Sequence, residues 1–212
     1  QRQMCIRDSY KTTSYIIDDT YQCAGEYSFT INTYGPTGME TDSPVTITGI
    51  SGEASEMERV TLTIDMLSDN ANHVGDGGGL PALIDGKVNT YYHTKWNAPV
   101  TTEAHYVQIK LNKPLKDLCF EYDARQSRVN NGGDVKAATI YGSMNGEFFE
   151  SMGNEEFNLP TTNGGHATAK NNVSGKQAYN YIRFTPTARR DKDPLDYTVA
   201  GSAWWNMSEI YL

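Results

Sequence analysis

The chain has 212 residues, enough for one large domain or for one ordinary domain plus a small one. Its formal net charge of −8 excludes a partner that presents a phosphate backbone, because nucleic-acid binding needs a basic surface. With 14 Tyr, 19 Gly and 21% charged residues, the composition is that of a β-rich globular protein rather than a helical or disordered one.

Three cysteines, Cys5, Cys23 and Cys119, allow at most one disulfide and show no metal-ligand spacing, so the fold must stand on its core. No apolar stretch approaches the roughly 18 residues of a membrane span. The basic cluster Arg189-Arg190 with Lys192 is broken by Asp191 and Asp193 and reads as a solvated loop.

In chain order, residues 1–9 (QRQMCIRDS) precede any patterned sequence and resemble translated adapter read-through, so they are set aside as a non-native leader. The chain then reads as a fragment whose export signal lies upstream. Alternation begins at Tyr27-Ser-Phe-Thr-Ile-Asn-Thr-Tyr34, which puts Tyr27, Phe29 and Ile31 on one face of a strand. Gly35-Pro36-Thr37-Gly38 makes a turn, and Val45–Ile50 is a second strand. The phrase GEYSFTINTYGPTGMETDSPVTITG resembles the last two strands of a fibronectin type III domain. Residues 10–50 are therefore expected to be a truncated Ig/fibronectin-like β segment, with 51–58 a polar linker.

From Val60 onward short strand patterns recur between Gly, Asn, Asp and Pro clusters. They fall at Val60–Met66, Tyr106–Leu111 with a stop at Asn112-Lys-Pro114, Leu118–Tyr122, Ala137–Tyr141, Glu147–Phe149, Tyr181–Phe184 and Glu209–Leu212. Asn145-Gly146 marks a tight hairpin after the Ala137 strand. Many short strands without intervening helices predict an all-β sandwich or jelly roll over residues 59–212.

The most informative segment is Leu83-Ile-Asp85-Gly86-Lys-Val-Asn89-Thr90-Tyr-Tyr-His93-Thr94-Lys-Trp96. It gathers several oxygen ligands in one loop, as calcium needs. Spacing alone favours an Asx-type turn without metal, since the loop lacks the Asp/Asn alternation and closing Glu of an EF-hand.

Asp85-Gly-x-x-x-Thr90, Tyr92-His93-Thr94 and His105–Leu111 together resemble the coagulation factor V/VIII type C (discoidin) family. Ala124-Arg125-Gln126 with Asn131-Gly132, Ile140–Gly146, Tyr181–Phe184 and Trp204–Ile210 follow in the family's order. Within it, the chain is most similar to bacterial carbohydrate-binding modules of family 32. The resemblance implies a galactose-binding-like jelly-roll sandwich with a structural calcium ion. The ion would be held by Asp85, Thr90 and Glu209, with the carbonyls of Ala82, Lys87 and Ser208.

It also implies a sugar site built from His93, Arg125 and Asn131, with Asn130 an equal candidate, and an aromatic platform at Trp204, backed by Tyr92 and Trp96. A guanidinium fork beside an amide and an imidazole can read neighbouring hydroxyls, and an aromatic ring can stack on a pyranose face. Each has a plainer alternative. His93 can be a core histidine satisfied by backbone, Arg125 can pair with Glu121 or Asp123, and Trp96 and Trp205 can belong to the core. The family's galactose binders often carry a Glu in the loop before the calcium Asp, whereas this chain has Ser68-Asp69-Asn70 and Gly75-Asp-Gly-Gly-Gly79.

No Gly-x-Ser-x-Gly, His-Glu-x-x-His or phosphate-binding loop is present, and Gly75–Gly79 leads into Leu-Pro rather than a helix. The expectation is a non-catalytic, calcium-stabilised module for terminal galactose-type or related sugars, extracellular or on a cell surface. Its partner would be a glycan, with no nucleic acid, no membrane contact and a monomeric state. The alternative is an adhesion module of the same fold that binds a protein.

Overall fold

The computed structural model describes residues 25–32, 44–51, 57–97, 103–126 and 132–212. The leader, Asn130 and Asn131 lie outside them. The chain divides into two compact units, residues 1–57 and 58–212. In the first, β1 (Gly25–Ile31) and β2 (Val45–Ser51) pair antiparallel with Phe29 opposite Ile47. The Thr30 and Thr46 hydroxyls meet across the ladder at 3.1 Å.

The second unit is built from β3 (Leu67–Asp69), β4 (Tyr92–His93), β5 (Val107–Leu118), β6 (Glu121–Asp123) and β7 (Val135–Ser143). It continues through β8 (Glu150–Asn158), β9 (His166–Ala169), β10 (Val173–Arg189), β11 (Asn206–Met207) and β12 (Glu209–Tyr211). Eight strands form one antiparallel ladder in the order β12-β6-β9-β8-β7-β10-β5-β3, and β11 pairs with β4 beside it. The segment that leads into β3 is tied to the end of the last strand: Val60 N–H, seven residues before β3, donates to the carbonyl of Leu212, just after β12, at 2.7 Å.

The core lies inside the curl. Val107, Ile109 and Leu111 of β5 alternate inward with Ala138 and Ile140 of β7 and Ile182 and Phe184 of β10. Phe120, Phe184, Phe157 and Tyr122 form a chain of ring contacts at 5.0–6.0 Å from one side of the curl to the other. Burying each such side chain stabilises the fold by roughly 1.5–3 kcal/mol relative to exposure. This is an all-β, discoidin-like jelly-roll sandwich, as expected.

Several expected boundaries move. Val60–Thr63 lies outside any ladder, and Ile64–Met66 is a 3-10 turn, so pairing begins only at Leu67. Pro114 does not end its strand. The ladder with β10 jumps from Lys110 to Leu115, so Pro114 sits in a bulge where no ladder N–H is required. Glu147–Phe149 is not a strand but part of the β7–β8 connection. There Ser143 Oγ accepts the N–H of Gly146 at 2.9 Å, and Gly146 takes φ +81°.

Candidate functional site

Asp85, after a 3-10 turn at Leu80–Leu83, opens the first cluster. Its Oδ1 accepts the Lys87 N–H at 2.9 Å, an Asx turn in form. Thr90 Oγ1 lies 2.9 and 2.8 Å from the two Asp85 oxygens and 2.9 Å from the Lys87 carbonyl. A hydroxyl has one proton and cannot serve the carboxylate and the carbonyl together, so acceptor oxygens crowd here without a hydrogen between them. Glu209 of β12 joins them, its Oε1 accepting the same Lys87 N–H at 2.9 Å. Burial pushes its carboxyl up to about 7; the Lys87 N–H opposes that push and the adjacent Asp85 adds to it.

Among the described residues no group of three or more His, Cys, Asp or Glu side chains gathers as metal ligands. This corner instead offers two carboxylates, a hydroxyl and a carbonyl, an all-oxygen donor set of the kind a hard cation takes. Ala82 and Ser208 flank it. Ser208 Oγ donates to the Val88 carbonyl at 3.0 Å, which ties the loop to the last strands.

The second cluster begins at β4. Thr94 exchanges hydrogen bonds with the backbone of Trp205, Oγ1 accepting its N–H at 2.9 Å, and His93 lies opposite Asn206 in the β4–β11 pair. This pairing brings the His93 ring onto Trp204, centroids 5.2 Å apart and planes 26° from parallel. His93 is 5% exposed, and its Nδ1 lies 2.6 Å from the Thr94 carbonyl. A carbonyl only accepts, so Nδ1 carries the proton and Nε2 keeps a lone pair when the ring is neutral. Burial holds its pKa below 6.5, against the pull of the Thr94 carbonyl and of Asp76. His93 is thus a histidine satisfied by backbone on one side, with Asp76, Arg125 and His73 among its charged neighbours.

Arg125 settles differently from its plain alternative. Glu121 is taken by Arg59 at 2.9 Å and His166 at 3.1 Å, and Asp123 by His166 and by the Tyr211 hydroxyl, both at 2.7 Å. Among the described residues Arg125 has no ion pair. Its guanidinium lies 3.5 Å over the Tyr91 ring, and its Nε is buried without a hydrogen-bond partner. A shallow pocket of ≈ 290 Å³ opens beside it, lined by Asn89, Tyr91, Arg125, Gln126 and Asn163.

The aromatic candidates sort differently from expectation. Tyr92 is fully buried, its ring 5.3 Å from the buried Trp205, so it is core and has no surface to offer a ligand. Trp204 is engaged by His93 and by Arg189, whose guanidinium lies 3.9 Å over the indole. Arg189 is only 6% exposed and Arg190 bonds the buried Asp134 at 3.0 Å, so this basic cluster packs the site wall rather than a solvated loop. Trp205 belongs to the core, whereas Trp96, for which the core was the plainer alternative, is 45% exposed.

One residue escapes the sequence reading altogether. Asp76, in the Gly-rich loop, accepts the Tyr91 hydroxyl at 2.7 Å on one oxygen and the Trp96 indole N–H at 2.8 Å on the other. Burial raises its carboxyl, but those two hydrogen bonds, with His93 and Arg125 nearby, leave it below the usual carboxylate range. Glycine makes this possible. A Cβ at Gly77, φ +95°, would stand 2.5 Å from the Tyr91 carbonyl, the group to which Gly78 N–H donates at 2.8 Å. The loop therefore lies close on Tyr91 and brings Asp76 to its hydroxyl. The run of Gly signals such a close approach but not its partner.

A curled antiparallel sandwich with an oxygen-lined corner beside a polar, arginine-bearing pocket defines a jelly-roll binding module. The model of the F5/8 type C domain matches residues 68–209, and the chain belongs to that family. No curated protein matches. Among solved structures, the chain is similar to CpGH89CBM32-5 from Clostridium perfringens in complex with GalNAc-beta-1,3-galactose. That match is at 21% identity and TM-score 0.44, covering 68% of this chain and 91% of that one. It is similar to the family 32 carbohydrate-binding module of C. perfringens NanJ in complex with galactose (19%, TM-score 0.42, 68% and 90%). A third is the C-terminal domain of a Bacteroides fragilis chitobiase (17%, TM-score 0.48, 73% and 95%).

Proposed function

We propose that residues 58–212 are a non-catalytic, calcium-stabilised carbohydrate-binding module for terminal galactose-type or related sugars. The observation that carries the reading is Arg125. Among the described residues it makes no ion pair, and it stacks on Tyr91 at the rim of a pocket whose other walls are amides. A guanidinium carries several N–H donors, and a sugar hydroxyl is a neutral acceptor that also donates to Asn89, Gln126 or Asn163. His93 Nε2 supplies a complementary acceptor. Asn130 or Asn131 would add the amide that the family resemblance implies.

Calcium would be held by Asp85, Thr90, Glu209 and the Lys87 carbonyl, with the carbonyls of Ala82 and Ser208 completing the shell. It would supply charge to the crowded oxygens and join an early loop to the last strand. The module would act outside the cell or on its surface, as a monomer, carrying its parent protein to a glycan. No described helix is long and apolar enough to cross a membrane.

The test is a glycan-array screen of the chain with calcium present, wild type against Arg125→Ala. Binding to galactose- or N-acetylhexosamine-terminated glycans that is lost in the variant supports the reading. A calcium-stabilised protein that binds no glycan refutes it. The second reading, a protein-binding adhesion module, is favoured by Phe148 and Met144, 80% and 48% exposed on the β7–β8 connection. A protein partner lost on Phe148→Ser but kept in Arg125→Ala would support it.

A further inference from the structure

Trp96 is a large aromatic residue left 45% exposed, yet it is held in place from two directions. Its indole N–H donates to Asp76 Oδ2 at 2.8 Å, and its ring lies parallel to His73, 1° between planes and 5.2 Å between centroids. Both His73 ring nitrogens are buried without a hydrogen-bond partner, so the imidazole serves Trp96 as a backing plate through its face. An exposed indole that is already ordered pays little entropy on receiving a ligand, and it presents apolar area edged by a polar group. Val74, next to His73, is 90% exposed and widens the apolar surface on the same loop.

Asp76 joins this surface to the Arg125 pocket. Its other oxygen takes the Tyr91 hydroxyl at 2.7 Å, and Tyr91 lies under Arg125 and lines that pocket. The indole and the pocket are therefore separated by one carboxylate and two hydrogen bonds. Each Asp76 oxygen has a second lone pair to offer a hydroxyl donor. Trp96 is not among the residues that line the Arg125 pocket, so its exposed area is additional to that pocket's own walls.

We propose that the site takes an oligosaccharide of at least two rings. One ring is read by Arg125 and its amide neighbours, and the next stacks on Trp96 with a hydroxyl on Asp76. This inference rests on the carbohydrate-binding reading above and adds a second subsite to it.

The test is isothermal titration of the full chain, calcium present, with methyl β-galactoside and with β-1,3-, β-1,4- and β-1,6-linked galactosyl-N-acetylglucosamine. The quantity read is the ratio of monosaccharide to best-disaccharide Kd in wild type, Trp96→Ala, Trp96→Phe and Arg125→Ala. Stacking on a fixed ring should give a wild-type ratio of about ten, falling to about one in Trp96→Ala and largely restored in Trp96→Phe. A wild-type ratio near one, or a ratio unmoved by Trp96→Ala, overturns the second subsite while leaving the sugar reading standing. Wild-type protein that binds none of these galactosides, or Arg125→Ala that binds them as wild type does, overturns both. Thermal melts of each variant separate lost binding from lost fold.

Discussion

The Glu209 carboxylate accepts the Lys87 backbone N–H at 2.9 Å across 122 residues of sequence, beside an Asp85 side chain that takes the same N–H. Two acidic groups thus share one donor, in a corner that Thr90 and the Lys87 carbonyl crowd further. With both groups ionised such an arrangement is electrostatically unfavourable, and either a proton on Glu209 or a cation relieves it. Calcium at 100 times its Kd should stabilise the fold by about 2.7 kcal/mol, a rise of roughly 5–10 °C in Tm for a unit of this size. Glu209→Gln should remove most of that rise. Identical melting curves in calcium and in EDTA would end the calcium proposal.

His93 gives the proposed sugar site a pH dependence. Burial depresses its pKa below 6.5, so the neutral ring, with Nε2 as acceptor, persists at neutral pH. Affinity for a galactoside should be level from pH 8 to 6.5. It should fall below that, by up to about tenfold per unit once the ring protonates. Stability follows the same sense. The unfolded chain, with an ordinary histidine, takes up its proton first, so stability present above pH 6.5 is lost as pH falls through the depressed value. His105, pushed by burial to about 4, adds to that loss between pH 6.5 and 4. Titrations at saturating calcium check the binding claim. Affinity that is constant down to pH 4.5 would show that His93 does not touch the sugar.

A carboxyl inside the sandwich works in the opposite direction. Glu155 on β8 is fully buried, and both its oxygens accept the Phe120 N–H, at 3.1 and 3.0 Å. Burial raises its pKa to about 8. Between pH 4.5 and 8 the folded state holds a proton that the unfolded state releases, so stability declines as pH rises through that window and then levels. Glu155→Gln keeps one acceptor for Phe120 and carries no titrating proton. It should abolish the decline, worth on the order of 3 kcal/mol or less at pH 9. Urea melts of both proteins at pH 6 and 9 measure this; parallel changes with pH would refute it.

The legible and the hidden parts of the fold differ in their physics. Strands whose inward residues are apolar, as in Val107-Gln-Ile-Lys-Leu111 and Tyr181–Phe184, announce themselves by alternation. β8 does not, because Gly, Asn and Glu fill it and its deepest inward residue is Glu155 itself. Val60–Met66 alternates equally well but finds no ladder partner, and pattern alone carries no information about pairing. The Asp85–Thr90 turn is legible because its partners lie within six residues, whereas the approach of Glu209 to it is suggested only by family resemblance. Asp76 was hidden because its partners, Tyr91 and Trp96, are contacts between loops. Trp204 and Trp205 are neighbours with opposite fates, since adjacent residues on an extended segment face opposite sides.

The Gly-rich loop allows strain and close approach to be told apart. Gly75 and Gly77 both have φ +95°, but a Cβ at Gly75 meets nothing within 4 Å, whereas one at Gly77 stands 2.5 Å from the Tyr91 carbonyl. Alanine at either position incurs the backbone penalty, on the order of 1–2 kcal/mol. Only at Gly77 must the loop also lift from Tyr91, and that displaces Asp76 from both the Tyr91 hydroxyl and the Trp96 indole. Gly77→Ala should therefore melt lower than Gly75→Ala. It should also shift tryptophan emission to the red as Trp96 loses its carboxylate, and weaken disaccharide binding several-fold. If the two variants melt together and emit alike, the loop does not hold Trp96 through Asp76, and the ordered second platform loses its support.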